Sequence, residues 1–418
     1  MGGGFDKAPM EIATRMDRRL ILCLGSALLA ACAHDEASCS APAACASMAC
    51  LSDDLCVDEE AVAYVQPGGT GTACTQAEPC GTLRDGLAAD RPYIKLVADG
   101  SPLVADEQTV IDRDVTIFSE PGVPLRRANR GGLLEIDAAV SVRLYDLALT
   151  GTRGSSPAID IAADGAHLEL TRVAVDDNEA TGLFIGAAAD VTVIDSRFAN
   201  NGGSGISMTA EGAPSLAIIQ STFRDNAGLG VLVAAGSPAT IVTQSRFSGN
   251  ADGGLYLAGG SFDIVGNVFF ANGSSHSTAG GLFVIATADT QDRLELNTLS
   301  GNRSPDGVGP AMTCVARGTA ARNNLLSDNR AVTRPEQIAG SCTHAYTLVE
   351  RGPVPEGVGN RAADPMFLDA AHGDLHLRPG SPARRAADPA ADLTGLAARD
   401  LDGHARTAPA DLGAFQVP

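Results

Sequence analysis

Chemistry needs side chains that ionise, coordinate or attack, and this chain gathers few of them. Asp176 and Asp177 stand side by side before Asn178, and Asp195 follows in the next similar segment. Carboxylate oxygens of this kind are what Ca2+ takes as ligands. Acids beside an Asn are also the ordinary caps of polar turns. The turn reading is adopted here, as it is for Asp225 and Asp252, and Ca2+ stays the one cofactor left open. Asp400-Leu-Asp402-Gly403 opens like a Ca2+ loop but lacks the later ligands, so it is read as an Asx-turn. Lys7 and Lys95 are the only lysines, which leaves almost no catalytic amine. Cys314, with Cys342 and His344 downstream, would support sulfur chemistry only as a free thiol beside an oriented imidazole. A Cys314–Cys342 disulfide is expected instead. No catalytic set and no metal site is assigned.

The expectation of disulfides rests on the address written at the N-terminus. Met16-Asp-Arg18-Arg19 precedes the apolar run from Leu20 to Ala31, which is too short to span a bilayer. Residues 1–31 are therefore read as a secretory signal, with Met16 as a candidate start. Leu29-Ala30-Ala31-Cys32 resembles a bacterial lipobox, and that resemblance implies a diacylated Cys32 as the mature N-terminus. Ala33, rather than Asp, follows it, which implies the outer membrane or cell surface. Ten cysteines are present. Once Cys23 leaves with the signal and Cys32 takes lipid, Cys39, Cys45, Cys50, Cys56, Cys74, Cys80, Cys314 and Cys342 remain. An even set in an exported chain reads as disulfides, with Cys74–Cys80 as a second expected pair. The first four define a Cys-rich linker over 32–60. No C-x2-C spacing there supports zinc.

The rest of the chain must position whatever function exists, and it is a repeat. Asp195-Ser-Arg-Phe198-Ala-Asn-Asn201, Gln220-Ser-Thr-Phe223-Arg-Asp-Asn226 and Gln244-Ser-Arg-Phe247-Ser-Gly-Asn250 align without gaps. Anchors extend outward to Leu149, Val175, Phe269, Leu299 and Leu326. An Asn follows three residues after each anchor from Val175: Asn178, Asn201, Asn226, Asn250, Asn272, Asn302 and Asn329. Alternating apolar residues such as Ile206/Met208 and Val231/Val233 mark short strands with one buried face. Units this short cannot bury that face alone and must stack. The expected architecture is all-β: a parallel solenoid of roughly ten coils over 61–350, with a short capping helix near Leu83 and Leu87. The Asn column is expected to form a ladder and to adopt the left-handed turn itself. Gly182, Gly205, Gly230 and Gly254 are expected to make a second sharp turn. The turns lengthen after Asn272 and Asn302. Adjacent coils would then align them as a ledge carrying Ser274, Ser275, His276, Arg303 and Asp306, the expected site of any ligand.

With these repeats, the segment from Tyr64 to Gly71 and the motif Gly373-Asp374-Leu-His376-Leu-Arg-Pro-Gly380-Ser381-Pro382, the chain resembles the right-handed parallel β-helix family, the pectate-lyase-like superfamily. The resemblance implies that 351–418 closes the β-helix. Lyases of that family pair Ca2+ with an Arg or Lys base, and its hydrolases cluster carboxylates with a His. Neither set is legible here. Asp plus Glu number 50 against 30 Lys plus Arg, a net charge of -20 that argues against a nucleic-acid partner. The expectation is a monomeric envelope lipoprotein, held to the membrane through Cys32, whose rod binds polysaccharide or an envelope protein without turnover. The alternative is a polysaccharide lyase or glycoside hydrolase.

Overall fold

The computed structural model describes residues 48–50, 56–234, 239–285, 292–315 and 318–417. The signal, Cys32, Cys39 and Cys45 lie outside them. Cys50 and Cys56 sit at opposing backbone positions of a small hairpin, Met48–Cys50 with Cys56–Asp58.

From Val62 onward the chain winds through three parallel sheets in turn. Sheet I has twelve strands, from Val62–Val65 to Thr343–Ala345. Sheet II has twelve, from Leu103–Ala105 to Arg361–Ala362. Sheet III has ten, from Thr109–Ile111 to Ile338–Gly340. One coil is Ser215–Ile219, Thr222–Arg224 and Leu229–Val233. About ten coils at the usual strand spacing of ~4.8 Å give a rod of roughly 50 Å. The repeat dictates this directly. Leu144, Leu170, Val193, Ile218, Val242, Ile264 and Leu294 are fully buried from sheet I, and the anchors meet them from sheet II. Phe198, Phe223, Phe247 and Phe269 stack ring on ring at 5.2, 5.0 and 4.9 Å.

Each coil turns two tight corners through a single left-handed residue. Between sheets I and II it is Asp146, Arg172, Asp195, Gln220, Gln244, Gly266, Leu296, Asn323 or Tyr346. Between sheets II and III it is Asp177, Asn200, Asp225, Gly249, Ala271, Gly301 or Asp328. This corrects the turn assignment made from sequence. The left-handed residue precedes the column Asn, because the Asn amide must point inward to bond the coils on either side. The Gly column is corrected too: Gly182, Gly205 and Gly230 are absent from the left-handed set. A Cβ on Gly205 would lie 2.6 Å from the Gly230 carbonyl oxygen and 2.9 Å from the Phe223 ring. Glycine there admits the aromatic stack against the backbone. Asp195 stands at the I–II corner and Asp177 at the II–III corner, so the Ca2+ trio Asp176, Asp177 and Asp195 is not assembled.

The helix Leu83–Ala88 starts on Thr82, whose hydroxyl accepts the Asp85 amide at 3.1 Å, and buries Leu83 over the first coil. Cys74–Cys80 and Cys314–Cys342 are disulfides. The C-terminal segment first adds Arg361–Ala362 beside Leu348–Val349 as the last strand of sheet II. It then runs back along the outer side of sheet II, where Phe367, Leu375, Leu412 and Phe415 cover Val268, Leu325 and Leu348. Gln244 donates to the Asp400 carbonyl at 2.6 Å, and the Ala414 amide donates to Thr298 at 2.9 Å. The outer faces of these late strands are apolar, so they need a cover that Arg126, Thr150 and Arg224 of earlier strands do not. No helix among the described residues is long and apolar enough to cross a membrane.

Candidate functional site

The Asn column is fully engaged in the fold. Asn178 donates to Asn201 at 3.0 Å, Asn201 to Asn226 at 2.9 Å, and Asn226 to Asn250 at 2.8 Å. Asn250, Asn272 and Asn302 continue at 2.9, 3.0 and 2.8 Å into Asn329. The column does not stop there, because Asn329 donates to Gln337 at 2.8 Å. Each amide also bonds an anchor carbonyl, as Asn226 does with Phe198 at 3.1 Å. A second ladder, missed in the sequence, runs down the I–II corner. The Ser196 amide donates to Ser221 Oγ at 3.1 Å, Ser221 to Ser245 at 3.1 Å, and Ser245 to Asn267 at 2.9 Å. Asn297 and Asn324 extend it. Its signal was the Ser or Asn two before each anchor from Phe198 onward. Neither ladder has spare donors for a ligand.

The long turns do lie together. The Ser277 hydroxyl reaches the Arg303 carbonyl at 3.5 Å, and a third long turn joins through the pairing of Arg303–Ser304 with Arg330–Ala331. Their polar groups are divided between fold and solvent. Both Asp306 oxygens are taken by Thr333, at 2.9 Å from its amide and 2.5 Å from its hydroxyl. Those bonds hold the Asp306 carboxyl below its ordinary range. Asp252 accepts the Thr278 amide at 2.6 Å and its hydroxyl at 2.8 Å. The Ser274 hydroxyl accepts the His276 amide at 3.3 Å. Ser275, His276 and Arg303 are exposed, and Arg303 makes no ion pair among the described residues. The ledge thus offers an imidazole, a guanidinium and a hydroxyl, while its carboxylate is committed.

Sheet III, which these turns enter, carries a feature the sequence reading passed over. Its central side chains face outward and stack one per coil. Strand register puts Glu135, Asp160, Phe184, Ser207, Leu232, Tyr256, Phe283 and Thr313 in a single column. Phe184, Leu232, Tyr256 and Phe283 are each only partly buried. Tyr256 and Phe283 stack at 4.8 Å with their planes 19° apart. Phe283 sits on the strand that follows the 273–281 turn, so the ledge borders the aromatic pair. The signal existed as the middle residue of each sheet III strand, but period two alone does not say that neighbouring coils align these residues.

Two titratable groups sit off this face. His376 is held between Asp374 at 2.5 Å and Asp402 at 2.6 Å, with its ring 4.1 Å from Phe415. Burial works against its charged form, but the two carboxylate bonds hold its pKa above the ordinary value. Asp400, Asp402 and His404 lie close enough for a metal. Asp400 is instead filled by the amides of Asp402, His404 and Gln416 at 3.1, 2.7 and 2.9 Å, which makes it a turn organiser. Lys95 pairs with Glu120 at 3.2 Å on the first coils, far from the ledge in the stacking order.

Residues 157–331 match the family model described as right handed beta helix region. No curated protein matches the chain. Among solved structures the chain is similar to the crystal structure of pectate lyase Pel9A. The identity is 15%, covering 85% of this chain and 96% of that one, at a TM-score of 0.49.

Proposed function

This chain is a right-handed parallel β-helix protein, and on that premise we propose that it is a non-catalytic polysaccharide-binding rod of the bacterial envelope, tethered by a lipid on Cys32. The observation that carries the binding role is the Tyr256–Phe283 stack, partly exposed on sheet III beside the ledge. Aromatic rings left at a surface cost hydrophobic free energy unless a partner covers them. The apolar C–H face of a pyranose ring fits that role, while its hydroxyls find Ser275, His276 and Arg303 at the ledge. The column runs along the rod axis, the direction in which a linear polymer gains contacts coil by coil. The lipobox resemblance and the even set of exported cysteines support the envelope address.

The test measures retention of the purified protein on a panel of neutral, acidic and amine-bearing polysaccharides, and analyses the same mixtures for cleavage products. Binding without new reducing ends or unsaturated sugars is expected. Tyr256→Ala and Phe283→Ala should each weaken it at least tenfold, about 1.4 kcal/mol. Product release would establish a lyase or hydrolase instead, and undiminished binding by both variants would remove the aromatic stack from the account.

A further inference from the structure

The lower end of the sheet III column carries an electrostatic oddity. Asp160 and Glu135 are directly in register on adjacent strands, and Asp160 is equally in register with Phe184. Strands in one sheet are ~4.8 Å apart, so two like charges face each other at close range, an arrangement that opposes folding. Both residues are partly buried, and neither makes an ion pair or hydrogen bond among the described residues. On the other two sheets and at the corner between them, acids are answered by arginine. Asp146 binds Arg172 at 2.5 Å, Glu169 binds Arg143 at 3.6 Å, and Asp176 binds Arg197. Burial by itself raises the Asp160 carboxyl above its ordinary range, so the charge is held at a cost with no protein cation to offset it.

Resting on the reading of sheet III as a polysaccharide platform, we propose that the ligand is an amine-bearing polysaccharide, a glucosamine-type polymer lying along the rod. Its sugar faces rest on Phe283, Tyr256 and Phe184, and its ammonium groups meet Asp160 and Glu135. The aromatic and acidic parts lie in one register column of seven strands from Glu135 to Phe283, with the buried Ser207 and the partly buried Leu232 between Phe184 and Tyr256. A single extended chain can therefore engage both. The net charge of -20 draws a polycation at long range and repels uronic acid polymers.

The experiment titrates the full chain with a glucosamine oligomer, the N-acetylated oligomer of equal length, and oligolysine, followed by calorimetry at two salt concentrations. The free-amine oligomer is expected to bind at least tenfold tighter than the acetylated one, with the difference shrinking as salt rises. The isosteric double variant Glu135→Gln/Asp160→Asn should abolish that preference and leave the weaker acetylated binding intact. Tyr256→Ala should weaken both sugars. Equal binding of the two oligomers by the wild type, or a preference that survives in the double variant, would overturn the amine assignment while leaving the platform standing. Loss of neither sugar in Tyr256→Ala would overturn the platform itself. Oligolysine binding as tightly as the glucosamine oligomer would reduce the column to plain charge attraction and overturn the assignment.

Discussion

At the scale of single residues, the ladder Asn side chains hold more than their neighbours. Asn226 donates to Asn250 and to the Phe198 carbonyl, and its oxygen accepts both the amide and the side chain of Asn201. Asn226→Ala leaves these buried partners unpaired, and each orphan costs about 1–3 kcal/mol. Asn329, which sequence position alone marks as a weaker terminal member, keeps the full set because Gln337 completes it. Urea unfolding should therefore show comparable losses for Asn226→Ala and Asn329→Ala. A negligible loss at Asn329 would mean that the Gln337 contact carries little. His344 is a different case. It faces the core of the last coils with Nδ1 unpartnered, and burial depresses its pKa to about 4. Its neutral form is the folded one, so the unfolded chain binds the extra proton. The stability lost as pH falls from ~6.5 towards 4 reaches up to about 3 kcal/mol, and above ~6.5 the residue has no effect. Melting curves across this range should flatten in His344→Phe.

At the scale of elements, two contacts decide how strands sit. Gly205→Ala forces a methyl against the Gly230 carbonyl and the Phe223 ring. The strand must shift or the aromatic stack must open, at about 1–3 kcal/mol by thermal or urea melting. Within the C-terminal segment, His376 ties Asp374 to Asp402 and so braces the fold that lies on sheet II. Arg246 lies 5.9 Å above the Phe415 ring beside them. His376 has a raised folded pKa, so its contribution is complete below its unfolded value of ~6.5 and fades as pH rises through the folded value. Limited proteolysis should cut the 363–417 region faster at alkaline pH. His376→Asn should make the wild-type neutral-pH rate rise and its pH dependence vanish; a rate unchanged by the substitution would assign the latch to apolar packing alone.

At the scale of the whole molecule, a solenoid is only as strong as its nearest-neighbour interfaces and its ends. The first coil is closed by the Leu83–Ala88 helix and the Cys74–Cys80 disulfide. The last coils are tied by Cys314–Cys342 and flanked by the returning C-terminal segment. Reduction should therefore lower the melting temperature from the ends, with amide exchange rising first near Cys314 and Cys342 and last around Phe223. Exchange that rises uniformly along the rod would show that the coils unfold as a single unit.

The repeat, the anchor and Asn columns, the stacked parallel coils and both described disulfides were legible in the amino-acid sequence. Each of these follows from side-chain period, repeat length and the even set of cysteines, which are read along the chain. The rest depends on contacts between coils. Left-handed residues precede the column Asn because the amide must face the next coil. Gly205 is small because Phe223 packs above it. The polar residue two before each anchor from Phe198 onward became a second ladder only once coils were stacked in register. The C-terminal segment lies along sheet II because the late strands expose Val268, Leu325 and Leu348 there. The ledge was legible as a lengthening of two turns, yet the commitment of Asp306 to Thr333 was not, since those residues meet only across coils. The column from Glu135 to Phe283 was hidden for the same reason. Its members are some 25 residues apart in the chain, and nothing but the inter-strand register of a parallel sheet makes them neighbours.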